Sequence, residues 1–254
     1  MSAKYLKYRD CKYAVAWDIE TKTSMDDGSE LIEYNKKDYM GFNTFKEFQR
    51  FVEDPRSNNV YQVINKEEVK PYWDIDYKDI VGGSFTEETL EKQLSIMIKE
   101  FKTAFNVSIE REDFIIETRK EYPYNSIHLI VDCVSVNVKD LIKFNYYLKD
   151  KYGEEFSYDK KVYTNYRLFR LCNMWKLSSG PESVLVNHKS SVNKSLESRI
   201  ISDTSKTKKI KLKKEIREMA KGIINTIEYS VPDIVKSGKE VVVNSINMDL
   251  VYNL

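Results

Sequence analysis

The sequence predicts an α+β fold. Three observations carry that expectation. The spacing of apolar residues switches repeatedly between a period of two and helical spacing. The resulting elements do not follow strict βαβ alternation. A 41% hydrophobic and 13% aromatic content over 254 residues is enough for one large domain or two small ones with a real core.

Val15–Ile19 is a short apolar run, read as a strand. Thr21–Ser29 is polar and holds Asp27-Gly28, a turn signal. In Thr44–Val52, Phe45, Phe48, Phe51 and Val52 recur at helical spacing behind Thr44, a suitable N-cap, and Asp54-Pro55 ends the helix. Val60–Ile64 and Tyr72–Tyr77 read as strands joined through NKEEVKP. The longest helical pattern fills Phe85–Phe105, where Leu90, Leu94, Met97, Ile98 and Phe101 repeat behind Thr86. Phe114–Thr118 reads as a strand. Ser126–Val136 (SIHLIVDCVSV) is apolar and β-branched and reads as one further strand. Val138–Lys151 is helical with a polar face of Lys and Asp, and Arg167–Trp175 begins as a strand. Residues 202–221 form the one strong charge run, read as a linker leading into a basic helix. Val231-Pro232 and Gly238 punctuate the segment after it, and Lys239–Leu254 ends in a strand.

Lys plus Arg (41) nearly cancels Asp plus Glu (40), so any basic surface has to come from local clustering. Cys11, Cys133 and Cys172 form no CxxC pair and are odd in number. That argues against a disulfide framework or a cysteine-built zinc site. The segment MSAKYLKYRDCKY has no apolar h-region, and no run approaches the roughly 20 apolar residues that cross a bilayer. The expectation is a soluble intracellular protein, cytoplasmic or nuclear.

Three clusters can carry chemistry. In Trp73-Asp74-Ile75-Asp76-Tyr77, strand alternation puts Asp74 and Asp76 on one face and the apolar residues on the other. Two carboxylates about 7 Å apart on one strand repel unless a cation lies between them. An oxygen-rich site of this kind suits Mg²⁺ or Mn²⁺, while a solvated strand face is the plain alternative. Ser126 and His128 share a strand face in the same way, fit to donate to phosphate oxygens or to serve as ordinary structural residues. A Ser–His hydrolase is disfavoured, because no GxSxG elbow is present and strand neighbours two apart are poorly set for Ser–His contact. Asp159 is followed by Arg167, Arg170 and Lys176, either a salt-bridged cationic surface or a carboxylate with a triphosphate clamp behind it. Asp18-Ile19-Glu20-Thr21 looks like the first motif of DEDD exonucleases, but the further carboxylates such enzymes need are better explained above. His188 in VNHKS reads as a loop residue.

Taken together, the clusters resemble the archaeo-eukaryotic primase superfamily. Its members carry a DxD or DxE strand, an SxH strand, then a carboxylate followed by a basic stretch. The stretch DKKVYTNYRLFRLCNMWK is similar to the D…VYTxNRxxRL…K pattern of PrimPol-type members, matching at Asp159, Val162, Tyr163, Thr164, Arg167, Arg170, Leu171 and Lys176. The lead-in VYQVINKEEVKPYWDIDY looks like primase domains of large eukaryotic DNA viruses. The resemblance covers roughly residues 40–205. Two departures stand out: Tyr124 occupies the position of a frequent nucleotide-binding Lys, with Arg119 or Lys120 as candidate replacements, and Asn165 is shifted by one.

The resemblance implies a two-part catalytic core containing an RRM-like sheet, spanning residues 1–200, with a basic helical C-terminal extension over residues 201–254. It implies a primase or primase-polymerase, a nucleotidyltransferase acting in DNA replication on a single-stranded DNA template with NTP or dNTP. Asp74, Asp76 and Asp159 would be the catalytic metal ligands for Mg²⁺ or Mn²⁺. Ser126, His128, Arg167, Arg170 and Lys176 would bind the nucleotide. It further implies a helicase or zinc module as a region or partner chain, and a virus-infected host cell as one setting. The rival from another class is a non-catalytic single-stranded nucleic-acid-binding module with a primase-like fold.

Overall fold

A computed structural model describes residues 10–27, 29–76, 85–163 and 167–229, with backbone alone at residue 35 and at 223–229. It is a mixed α+β fold. Its strands are β1 Tyr13–Ser24, β2 Glu30–Phe42, β3 Val60–Ile64, β4 Glu68–Val69, β5 Tyr72–Asp76, β6 Phe114–Arg119, β7 Ser126–Val131, β8 Val134–Asn137, β9 Arg167–Arg170, β10 Leu185–Asn187 and β11 Lys208–Lys209. Its α-helices are α1 Phe45–Val52, α2 Glu87–Phe105, α3 Val138–Tyr152 and α4 Lys214–Tyr229.

The first sheet has the order β2-β1-β3-β9. β1 and β2 form a long antiparallel hairpin from Tyr13 opposite Phe42 to Ser24 opposite Glu30. The Asp27 carboxylate accepts from the Ser29 N–H in its turn, at 2.9 Å. β1 is thus longer than Val15–Ile19, and β2 is a strand that the apolar pattern did not announce. α1 starts where its sequence says: Thr44 and Glu47 form a reciprocal capping box. Phe48 and Val52 of α1 pack with Tyr13, Val15 and Val60.

The second sheet, β10-β6-β7-β5, carries the candidate site. Trp73 and Ile75 are fully buried and join Phe101 and Phe105 of α2 and Phe144 of α3 in the main core. Trp73 Nε1–H donates to Asn145 Oδ1 at 2.7 Å, which satisfies the buried indole. α2 is capped by Thr86 and ends at Asn106, whose φ of 56° is the left-handed conformation common after a helix.

The apolar run 126–136 is two strands, not one. The Asp132 N–H bonds to Asp113 O, and its carboxylate pairs with the buried Lys70 at 2.8 Å. That tie turns the chain, so that β8 leaves the second sheet and pairs with β4 and β11 in a third. Within 202–221 the charged side chains are mostly exposed, but Ile210, Leu212 and Ile216 are buried in the main core. Arg217 of α4 pairs with Asp140 of α3 at 2.8 Å. Residues 230–254 lie outside the described residues, as do Tyr77 and Thr164 to Tyr166. Among the described residues no helix is long and apolar enough to cross a membrane.

Candidate active site

The face of the second sheet turned away from α2 and α3 arranges the candidate residues in rows. β5 and β7 pair with Asp74 opposite His128 and Asp76 opposite Ser126. Directly paired residues project from the same face, so both sequence pairs stand together. β6 lengthens the first row with Glu117 opposite His128. β10 adds Asn187 opposite Glu117 and Leu185 opposite Arg119. Helices α2 and α3 cover the other face, which is why Trp73 and Ile75 are buried while Asp74 and Asp76 stay half-buried.

His128 is the centre of the first row and only 3% exposed. Its Nε2 lies 3.7 Å from Asp74 Oδ1, and its Nδ1 lies 3.7 Å from Glu117 Oε2. Both are longer than hydrogen bonds. The ring is held instead by Phe169 of β9, with ring centroids 4.1 Å apart. Behind it, Glu117 pairs with Arg199 at 2.9 Å in a fully interior ion pair. Ser126 is likewise 3% exposed.

Asp74 carries the least comfortable charge of the site. Loss of solvent raises its pKa above the ordinary carboxylate value, and the neighbouring Asp76 and Asp159 raise it further; His128 and Lys176 act in the opposite sense. Its buried Oδ1 has no hydrogen-bond partner. Asp159 is tethered beside it, because its N–H donates to Asp74 O at 2.8 Å. The Asp159 Oδ1 accepts from the Lys161 N–H at 2.9 Å, so this oxygen is engaged in its own turn. Among the described residues no three His, Cys, Asp or Glu side chains converge closely enough to enclose a metal. The donor set still fits a hard divalent cation: two carboxylates on one strand face, one with an orphaned oxygen, and a third tethered alongside.

Cations border the carboxylates. Arg170 is 4% exposed, donates from Nη1 to Ser183 O at 2.6 Å, and has a buried Nε without a partner. Burial lowers its pKa, and the charges of Asp74 and Asp76 act against that. Burial also lowers the pKa of Lys176, with the same two aspartates opposing it. Arg167 and Arg170 are three residues apart on β9, opposite Ile64 and Tyr61, and so project to opposite faces. The buried Arg167 Nε has no hydrogen-bond partner.

Other candidates have structural ties. Tyr124 donates from its hydroxyl to Glu87 at the start of α2, at 3.0 Å. His188 is buried with Nδ1 on Ser190 and Nε2 on Glu87. Asp18 pairs with Lys37 and accepts from the Tyr61 hydroxyl and the Leu177 N–H, which ties β1, β2, β3 and a loop together. Glu117, Arg199 and Ser183 were not singled out from the sequence. A carboxylate inside the apolar strand FIIETR was the one available signal, since a buried Glu needs a partner.

No protein-family model matches this chain, and no curated protein matches its sequence.

Proposed function

We propose that the chain is a DNA-dependent primase or primase-polymerase, a nucleotidyltransferase of the archaeo-eukaryotic primase type acting in DNA replication. The observation that carries the reading is the double row, Asp74 opposite His128 and Asp76 opposite Ser126, with Asp159 hydrogen-bonded to Asp74 through the backbone. Motifs separated by some 50 residues in sequence have no general reason to meet in register on one polar sheet face. A shared reaction centre supplies one. In this reading the sheet bearing Asp74 is the RRM-like half of a two-part core.

Asp74, Asp76 and Asp159 would hold two Mg²⁺ or Mn²⁺ ions, which supply activation of a 3′-hydroxyl and charge neutralisation at the departing pyrophosphate. The chain's own part is positioning and electrostatics. Ser126 and His128 donate to phosphate oxygens of the incoming NTP or dNTP. Arg170 and Lys176 clamp its triphosphate; Arg167, expected from the sequence to serve the triphosphate or the single-stranded DNA template, lies on the other face of β9 from Arg170, which leaves it the template role. The partly desolvated Asp74 is poised for positive charge, since a cation removes the repulsion from Asp76 and Asp159. A helicase or zinc module, in the same polypeptide or a separate chain, is the expected replication partner.

A second reading has one observation in its favour. Asp159 spends an oxygen on Lys161, and among the described residues no three ligands converge on one point. A non-catalytic single-stranded nucleic-acid-binding module would have the same arrangement. The deciding experiment combines purified protein, single-stranded template, Mg²⁺ or Mn²⁺ and labelled NTPs or dNTPs, with and without primer. Template-dependent incorporation is the expected result. Template binding without incorporation under every condition would establish the binding module instead.

A further inference from the structure

The segments that carry three cations, Arg119, Arg170 and Lys176, are tied together near one buried residue, Ser183. Ser183 is fully buried. Its carbonyl accepts from Arg170 Nη1 at 2.6 Å, and its Oγ accepts from the Lys176 N–H at 2.8 Å. Two residues on, Leu185 pairs with Arg119 at the end of β6. Arg119 lies two positions beyond Glu117 on that strand, so it shares the face of Asp74 and His128 and falls in the row of Ser126 and Asp76.

The arrangement is unfinished as it stands. The Nε atoms of Arg119 and Arg170 are buried and have no hydrogen-bond partner. Buried guanidinium donors are normally satisfied. Arg119 also pushes unfavourably on both Arg170 and Lys176, a repulsion that an anion between them would reverse. Tyr124, meanwhile, is turned to Glu87 and offers no charge.

We propose that Arg119 is a polyphosphate-binding residue, the third cation of a pocket completed by Arg170 and Lys176 around Ser183. The ligand class is the triphosphate of an incoming nucleotide, an assignment that rests on the nucleotidyl-transfer reading. Three planar or point cations around one anion match a polyphosphate better than a single carboxylate, and the guanidinium forks supply paired donors. Lys120, the neighbouring candidate, is exposed and takes no part in the pocket.

The test is calorimetric titration of the full chain with inorganic tripolyphosphate, without metal, for wild type, R119A, R119K and K176A. Wild type should bind. R119A and K176A should each weaken binding by about tenfold or more, with R119K between wild type and R119A. Thermal unfolding without ligand should leave R119A close to wild type, because the side chain is only half-buried. Absence of wild-type binding, or an R119A affinity equal to wild type, would overturn the assignment. If tripolyphosphate binding depends on Arg119 but the protein incorporates no nucleotide, the pocket stands and the polymerase reading fails. If incorporation occurs, R119A should raise the nucleotide KM more than it lowers kcat; an unchanged KM would overturn the role of Arg119.

Discussion

The Glu117–Arg199 pair gives a sharp test of how the site is supported. Glu117 is 1% exposed and Arg199 4% exposed. The guanidinium makes three hydrogen bonds: to Glu117 Oε1 at 2.9 Å, to Ser191 O at 2.9 Å and to Lys194 O at 3.1 Å. Arg199→Met removes all three and leaves a carboxylate stranded inside the second sheet beside His128. Breaking one partner of a buried pair costs about 3–5 kcal/mol. At 2–4 °C per kcal/mol for a chain of this size, the melting temperature should fall by roughly 6–20 °C. Urea unfolding followed by circular dichroism measures the loss. Adding Glu117→Gln to Arg199→Met should recover a large part of it, because no isolated charge remains. A loss below about 1 kcal/mol for the single variant, or a double variant no better than the single, would refute the view of Glu117 as an ionised interior anchor behind His128.

Asp74→Asn should stabilise the fold at neutral pH while removing activity. The folded pKa of Asp74 lies above its ordinary value, so its favourable contribution is present at acidic pH below that ordinary value and is lost as pH rises through the folded pKa. The melting temperature of the variant should therefore exceed wild type at pH 7 and converge with it in acid, and Mn²⁺ should raise the melting temperature of wild type only. A variant less stable than wild type at pH 7 would contradict the electrostatic account. Trp73→Phe should cost about 2–4 kcal/mol in urea unfolding, through lost volume and an unsatisfied Asn145 Oδ1. A cost under about 1 kcal/mol would show that the indole bond contributes little.

Local pattern revealed those elements whose signals are local. The Thr44 and Thr86 caps, the helical spacing of α2 and the alternation of β5 all depend on residues within a few positions of each other. β2 escaped because ELIEYNKKDYMGF is an edge strand; with Leu31 and Ile32 exposed, burial imposes no clean alternation on it. The break between β7 and β8 escaped because its causes, Lys70 and Asp113, are distant in sequence from Asp132. The candidate site divides the same way. Each DxD or SxH pair is legible as one strand face. Their mutual register, the Arg199 behind Glu117 and the Ser183 hub between Arg170 and Lys176 come from tertiary pairing alone. Arg167 shows the converse: the sequence groups it with Arg170, whereas β9 turns the two to opposite faces.

The central claim is that Asp74 and Asp76 carry nucleotide incorporation. Its most direct test is the Asp74→Ala, Asp76→Ala double variant in the template-dependent incorporation assay, with circular dichroism and single-stranded DNA binding measured on the same preparation. The account predicts that incorporation is abolished while the fold and template binding persist. Incorporation that survives the double change would contradict it.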